Sequence, residues 1–159
     1  MQPDPDTEMI IKAVAGLSLH QRSVVELLAA SQEDLTRTDL ARAMAMLDLR
    51  CGKRRPSAND AEDIAASVRP EGMIVELGTR LALHEDLLEP FARHLQDEGR
   101  FVMLADALAA VVPAQAAGWY SYAGKGHGAE LRDLRRELCA GDAIAVEGRL
   151  RGGRLGMSL

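Results

Sequence analysis

Cysteine, aromatic residues and unbroken apolar runs are all scarce in this chain of 159 residues. The two cysteines, Cys51 and Cys139, stand far apart and outside any CxxC pair, so neither a disulfide framework nor a thiolate metal knuckle fits. That usage suits a reduced, cytoplasmic setting with both thiols structural. Two Phe, two Tyr and one Trp leave Leu, Val, Ile, Ala and Met to build the core. The opening MQPDPDTEM is acidic and proline-bearing, unlike a secretory leader. Residues 107–124 carry no formal charge, but Pro113, Gln115, Gly118 and Ser121 break them well short of a membrane span. Positive charge is not in excess either: a net charge of −5 excludes a nucleic-acid footprint spread over the whole surface.

Catalytic signatures are missing too. His20, His84, His94 and His127 form no HExxH or comparable ligand spacing, so no metal is expected. No GxSxG elbow occurs. Lys125 in GKGHG resembles a phosphate loop only superficially. Five residues separate Gly118 from Gly124, and Gly126 stands where a magnesium-binding hydroxyl is required. The carboxylates are scattered over helix faces with no pair marked out for acid-base work. These absences argue against an enzyme and against any bound cofactor.

What remains is a mostly helical pattern. At 47% hydrophobic and 27% charged residues the chain has the composition of an ordinary globular protein. A first helix is expected over residues 7–17. Ser18 and Gln21 form a capping box for a second, with Val24, Val25, Leu27 and Leu28 apolar and a stop near Ser31. After a polar joint, SQEDL, Thr36 caps a third, in which Leu40, Ala43, Met44 and Leu47 follow the helical period. The loop RCGKRRP leads to Ser57, the N-cap of a helix with Ala61, Ile64, Ala65 and Val68 as its inner stripe.

Residues 73–83, MIVELGTRLAL, read as a β-hairpin. A three-residue loop, Gly78 to Arg80, would set Leu77 against Leu81 and Val75 against Leu83, collecting the apolar side chains on one face. The next helix carries Leu87, Leu88, Phe91 and Leu95, with Pro90 admissible only in its first turn and Gly99 as its C′ residue. FVMLADALAAVV is a buried helix stopped by Pro113. AELRDLRRELCA is an amphipathic one with Leu131, Leu134 and Leu138 as its apolar line. The ending RGGRLGMSL has no closing element and reads as a chain cut from something longer; a stop codon directly after Leu159 in the gene would contradict that.

The expected fold class is mainly α with a small β-hairpin wing. The segments LTRTDLARAM, SANDAEDIAASV and MIVELGTRLAL, in that order, resemble a winged helix-turn-helix domain. The division that follows is an N-terminal helix or arm (1–17), a winged-helix domain (18–99), a helical extension (100–150) and a flexible tail (151–159). LALHEDLLEPFARHLQDEGRF, followed by an Ala-rich helix and LRDLRRELCAGD, is similar to the N-terminal accessory region of large bacterial helicase-like ATPases of the SWI/SNF type. That resemblance implies a nucleotide-hydrolysing motor beyond Leu159 and no catalytic residue within this stretch.

In winged helices the second helix of the turn motif reads DNA. Here its outward positions are Asn59, Asp60, Glu62, Asp63, Ser67 and Arg69, and its leading acids would repel phosphates. The preceding loop pulls the other way with Arg50, Lys53, Arg54 and Arg55, and Arg80 stands at the wing tip. These five residues are the expected DNA-backbone contacts. Arg132, Arg135, Arg136, Arg149, Arg151 and Arg154 form a second basic zone, partly matched by Glu130, Asp133 and Glu137. Three functions are therefore expected: an accessory module making weak DNA-backbone contact or docking onto its own motor; a protein-interaction adaptor working through the acidic helix and the Leu131 line; and a free-standing transcriptional regulator. No membrane partner is expected.

Overall fold

The structure, a computed structural model, describes residues 5–69, 72–113 and 127–141. Among them lie seven helices and one small antiparallel sheet, so the protein is mainly α with a β-hairpin. The order is α1 (Pro5–Ala15), α2 (Leu19–Ser31), β1 (Leu35–Thr36), α3 (Arg37–Met46), α4 (Ala58–Ala66), β2 (Ile74–Leu77), β3 (Arg80–Leu83), α5 (Glu85–Asp97), α6 (Phe101–Val111) and α7 (His127–Ala140). No helix among the described residues is long and apolar enough to cross a membrane.

Helix α2 is the axis. The capping box forms as its residues dictate: the Gln21 amide donates to Ser18 Oγ and the Ser18 amide to Gln21 Oε1. Every residue from Ser23 to Ser31 is buried, because α3, α4, α5, α6 and β3 surround this half of the helix. A helix wrapped on all sides must bury its polar positions as well. Glu26, only 1% exposed, is the result. It is held by Arg100, whose Nη2 lies 2.7 Å and Nε 3.0 Å from its carboxylate, and by Arg22 at 3.2 Å. The Glu26 hydrogen bonds push the Arg100 guanidinium above its ordinary value. Around this pair, Leu27, Leu28, Leu40, Met44, Leu81, Leu95, Leu104 and Leu108 complete one continuous core, each contributing about 1.5–3 kcal/mol by leaving water. Helix α6 belongs to that same core.

The polar joint SQEDL contains a strand. Leu35 is buried and pairs with Leu81, Thr36 with Arg80, giving the sheet order β1-β3-β2. The hairpin closes differently from the sequence expectation. Its register is Ile74 to Leu83, Val75 to Ala82, Glu76 to Leu81 and Leu77 to Arg80, with a two-residue Gly78-Thr79 turn. Gly78 takes φ +66° while Thr79 stays on the negative side, the Gly-first pattern of a tight II′ hairpin turn. Turn chemistry therefore overrode face segregation. Leu81 and Leu83 face the core, and Leu77 is left exposed on the other face.

One further expectation is corrected. Helix α5 begins at Glu85, capped by His84, so Pro90 sits in the second turn and not the first. The Asp86 carbonyl loses its helical donor there, which water can replace because Asp86 is exposed. Of the Leu131–Leu134–Leu138 line of α7, Leu131 is 45% and Leu138 58% exposed, and Leu134 is half-buried. Gly99 behaves as anticipated. At φ +70° it closes α5 with Arg100 N–H donating to Leu95 O and Gly99 N–H to Gln96 O, the two bonds of a Schellman motif.

Candidate nucleic-acid interface

Four of the five expected contact residues lie on the loop between α3 and α4. Its fold is local. Cys51 and Arg54 exchange backbone hydrogen bonds, with the Cys51 amide 2.9 Å from Arg54 O, and Gly52 at φ +68° makes the reversal. Lys53 is thereby held at the tip. His20 Nε2, 2.7 Å from Arg50 O, ties the loop's start to α2, and buried Pro56 anchors its end. The Cys51 thiol is pushed up by burial and by nearby Asp60.

The charges of this loop divide into two groups. Arg54 turns back on α4, its Nη1 and Nη2 lying 2.5 and 2.9 Å from the Asp60 carboxylate. Asp60 is also the N3 residue of the α4 capping box and accepts from the Ser57 amide at 2.8 Å. Arg54 first, and the Ser57 amide next, hold the Asp60 carboxyl far below the usual carboxylate range. Arg50, Lys53 and Arg55 are exposed and have no acidic partner among the described residues. Arg50 donates to the neighbouring Leu49 carbonyl.

Arg80 does not join this group. It opens β3 and pairs with Asp34 at 3.3 Å, on the turn between α2 and β1. A residue that the sequence reading did not single out, Arg37, occupies the junction instead. From the first turn of α3 it reaches Glu62 on α4 at 3.4 Å and Glu76 on β2 at 3.8 Å, and donates to Gly78 O. Nothing in the local sequence announces this, because the three partners come from three elements.

The second basic zone is also internally committed where it is described. Arg132 is 1% exposed and donates to Asp133 and to Val112 O. Arg135 bonds Glu89 and Gln96, and Arg136 bonds Asp106. Arg149, Arg151 and Arg154, like Pro70, Lys125 and the expected 151–159 tail, lie outside the described residues. Around α4 and the hairpin, then, Asp60, Glu62, Glu76 and Asp34 meet Arg54, Arg37 and Arg80, while Asp63 and Arg69 are exposed. Among the described residues, most of the guanidinium groups nearest α4 and the hairpin are thus paired with carboxylates.

No protein-family model matches the chain, and neither curated proteins nor solved structures provide a significant match.

Proposed function

We propose that this chain is a non-catalytic winged-helix module that works by docking onto protein, as an accessory region of a larger bacterial nucleic-acid-processing ATPase. The winged-helix reading rests on the order of elements, and the succession of α2, β1, α3, α4 and the β2–β3 hairpin, with sheet order β1-β3-β2, is compatible with it. One observation carries the docking half. The carboxylates of α4 and the hairpin consume the guanidinium groups around them, so the helix that would enter a DNA groove presents a neutral-to-acidic surface. Phosphate attraction supplies most non-specific DNA affinity, and that face has none to offer.

A second reading has its own support. Arg50, Lys53 and Arg55 are exposed on one tight loop, enough for about three phosphate contacts. Such contact would give a slope of log affinity against log salt of about −2 to −3. Titration of the protein against duplex DNA at two salt concentrations separates the readings. Docking predicts no duplex binding at micromolar protein, and indifference to the double substitution Lys53→Glu with Arg55→Glu. Salt-dependent binding that this double variant abolishes would replace the docking reading with the backbone-contact one.

A further inference from the structure

The sheet has two edges, and they are guarded differently. On one side β1 is only two residues long, which blunts it by shortness. On the other side β2 runs for four residues in unbroken register, with no bulge, no proline and no lysine, its one charged side chain being Glu76. Edge strands usually carry one of those devices, because an unprotected ladder of N–H and C=O groups invites another strand.

The pairing tells which groups are free. His84 N–H donates to Met73 O at 2.8 Å, so Met73 and His84 are a hydrogen-bonded pair. Bonded and non-bonded pairs alternate along an antiparallel ladder. Val75 and Leu77 therefore spend their backbone groups on β3, while those of Ile74 and Glu76 point out of the sheet. Neither residue has a backbone partner there among the described residues.

That edge opens onto a groove of about 320 Å³ between α4 and β2. The small side chains of Ala65 and Ala66 leave the space between α4 and the strand unfilled, Ile74 and Leu81 supply apolar wall, and Arg69 lines it too. Towards the hairpin tip, Arg37 serves Glu62 at 3.4 Å and reaches Glu76 only at 3.8 Å, so the Glu76 carboxylate, 66% exposed, stands accessible beside the open backbone groups.

We infer that β2 takes an extended peptide as a fourth strand, with a lysine or arginine opposite Glu76 and an apolar residue opposite Ile74. Main-chain hydrogen bonds hold such a segment and alternate side chains select it. This deepens the docking reading and rests on it, by naming the edge used and the chemistry of the partner segment.

The test uses the full chain and a synthetic probe, acetyl-Thr-Lys-Val-Val-Thr-amide, followed by backbone amide NMR. The Ile74 and Glu76 amides are expected to shift and to exchange more slowly. Replacing the probe's lysine by glutamate should weaken binding by about threefold, the usual scale of one cross-strand charge pair. Glu76→Lys should reverse that preference; because Glu76 is exposed at the edge, the variant keeps the fold. N-methylating the probe at the positions opposite Ile74 and Glu76 should abolish binding. No change at these two amides with millimolar probe would overturn the inference, as would changes confined to another surface. Shifts of the same amides with rising protein concentration alone would also overturn it, assigning the edge to a second copy of the chain. The duplex titration probes a different face. A silent edge in a protein that ignores DNA therefore removes this inference and leaves the docking reading standing.

Discussion

Helix α6 turns Phe101, Leu104, Ala105 and Leu108 towards α2 and α3, and all four are buried. Helix α7 lies against α6 and grips with guanidinium groups: Arg136 on Asp106, Arg135 on Glu89 and Gln96, and Arg132 on the Val112 carbonyl. Only Ala129 among its apolar residues is fully buried, and Leu131 and Leu138 look outward. The fixed geometry of α6 comes from dispersion and apolar burial, which salt does not screen. Much of α7's hold comes from partly exposed ion pairs, each worth under about 1 kcal/mol and weakened by salt. Arg132 adds a cost, since its Nη2 is buried with no hydrogen-bond partner among the described residues, a loss of about 1–3 kcal/mol. Two helices in contact can thus belong to different stability classes. The core defines the fold, and the strapped helix is its less firmly held part.

Removing an apolar anchor from the core is the most damaging way to probe this contrast. Leu104→Ala should lower the unfolding free energy by about 3 kcal/mol, the cost of lost transfer plus the cavity left among close-packed neighbours. Urea denaturation measures it. A loss below about 1 kcal/mol would mean that α6 is not welded in as described.

The parts of this architecture that were legible in the sequence are those decided within one turn of chain. Ser18 with Gln21, Thr36 with Asp39, Ser57, and Gly99 all mark helix ends where the backbone ends them, because a cap is a local hydrogen-bond problem. The hairpin was legible in position but not in register. Apolar segregation and Gly78 turn geometry pulled one residue apart, and the turn prevailed. Long-range charge was the least legible. The run of Arg50, Lys53, Arg54 and Arg55 looks uniform, yet Asp60, placed by the cap of the next helix, withdraws Arg54 from it. Arg80 is withdrawn by Asp34, which is 46 positions away. The leucine line of α7 was legible as a stripe but not in its orientation, because periodicity cannot say which side the body lies on.

Gly128 sharpens the contrast from the α7 side. A Cβ placed there would stand 2.5 Å from Glu33 Cβ and 2.9 Å from Gln32 O, nearer than such atoms approach. Taken alone, Gly→Ala in a helix is favourable by about 1 kcal/mol. Here the clash should reverse the sign, and Gly128→Ala should destabilise by about 1–2 kcal/mol, the cost of overpacking. The loss should be local. Hydrogen exchange of residues 129–140 should accelerate while the amides of α2 and α6 keep their protection, and high salt should produce a milder version of the same pattern in the unsubstituted protein. Stabilisation by Gly128→Ala would mean that α7 does not make this close approach.

The smallest expected effect concerns Asp60, half-buried at the surface and doubly employed by Arg54 and the Ser57 amide. Its folded carboxyl titrates far below the ordinary value of about 3.9 expected in the unfolded chain. A group depressed in this way stabilises the fold above the unfolded value, and that contribution disappears as pH falls towards the folded one. The unsubstituted protein should therefore lose stability between about pH 4 and pH 2 with a component that Asp60→Asn lacks. Asp60→Asn keeps most of the cap geometry while freeing Arg54, so denaturant midpoints measured across that range isolate the ion pair from the helix end. The same substitution adds Arg54 to the exposed cations Arg50, Lys53 and Arg55. If the loop's weak pull on phosphate is limited only by Asp60, Asp60→Asn should raise duplex affinity at low salt. If docking onto protein is the loop's role, duplex binding should stay absent while the acid limb alone changes.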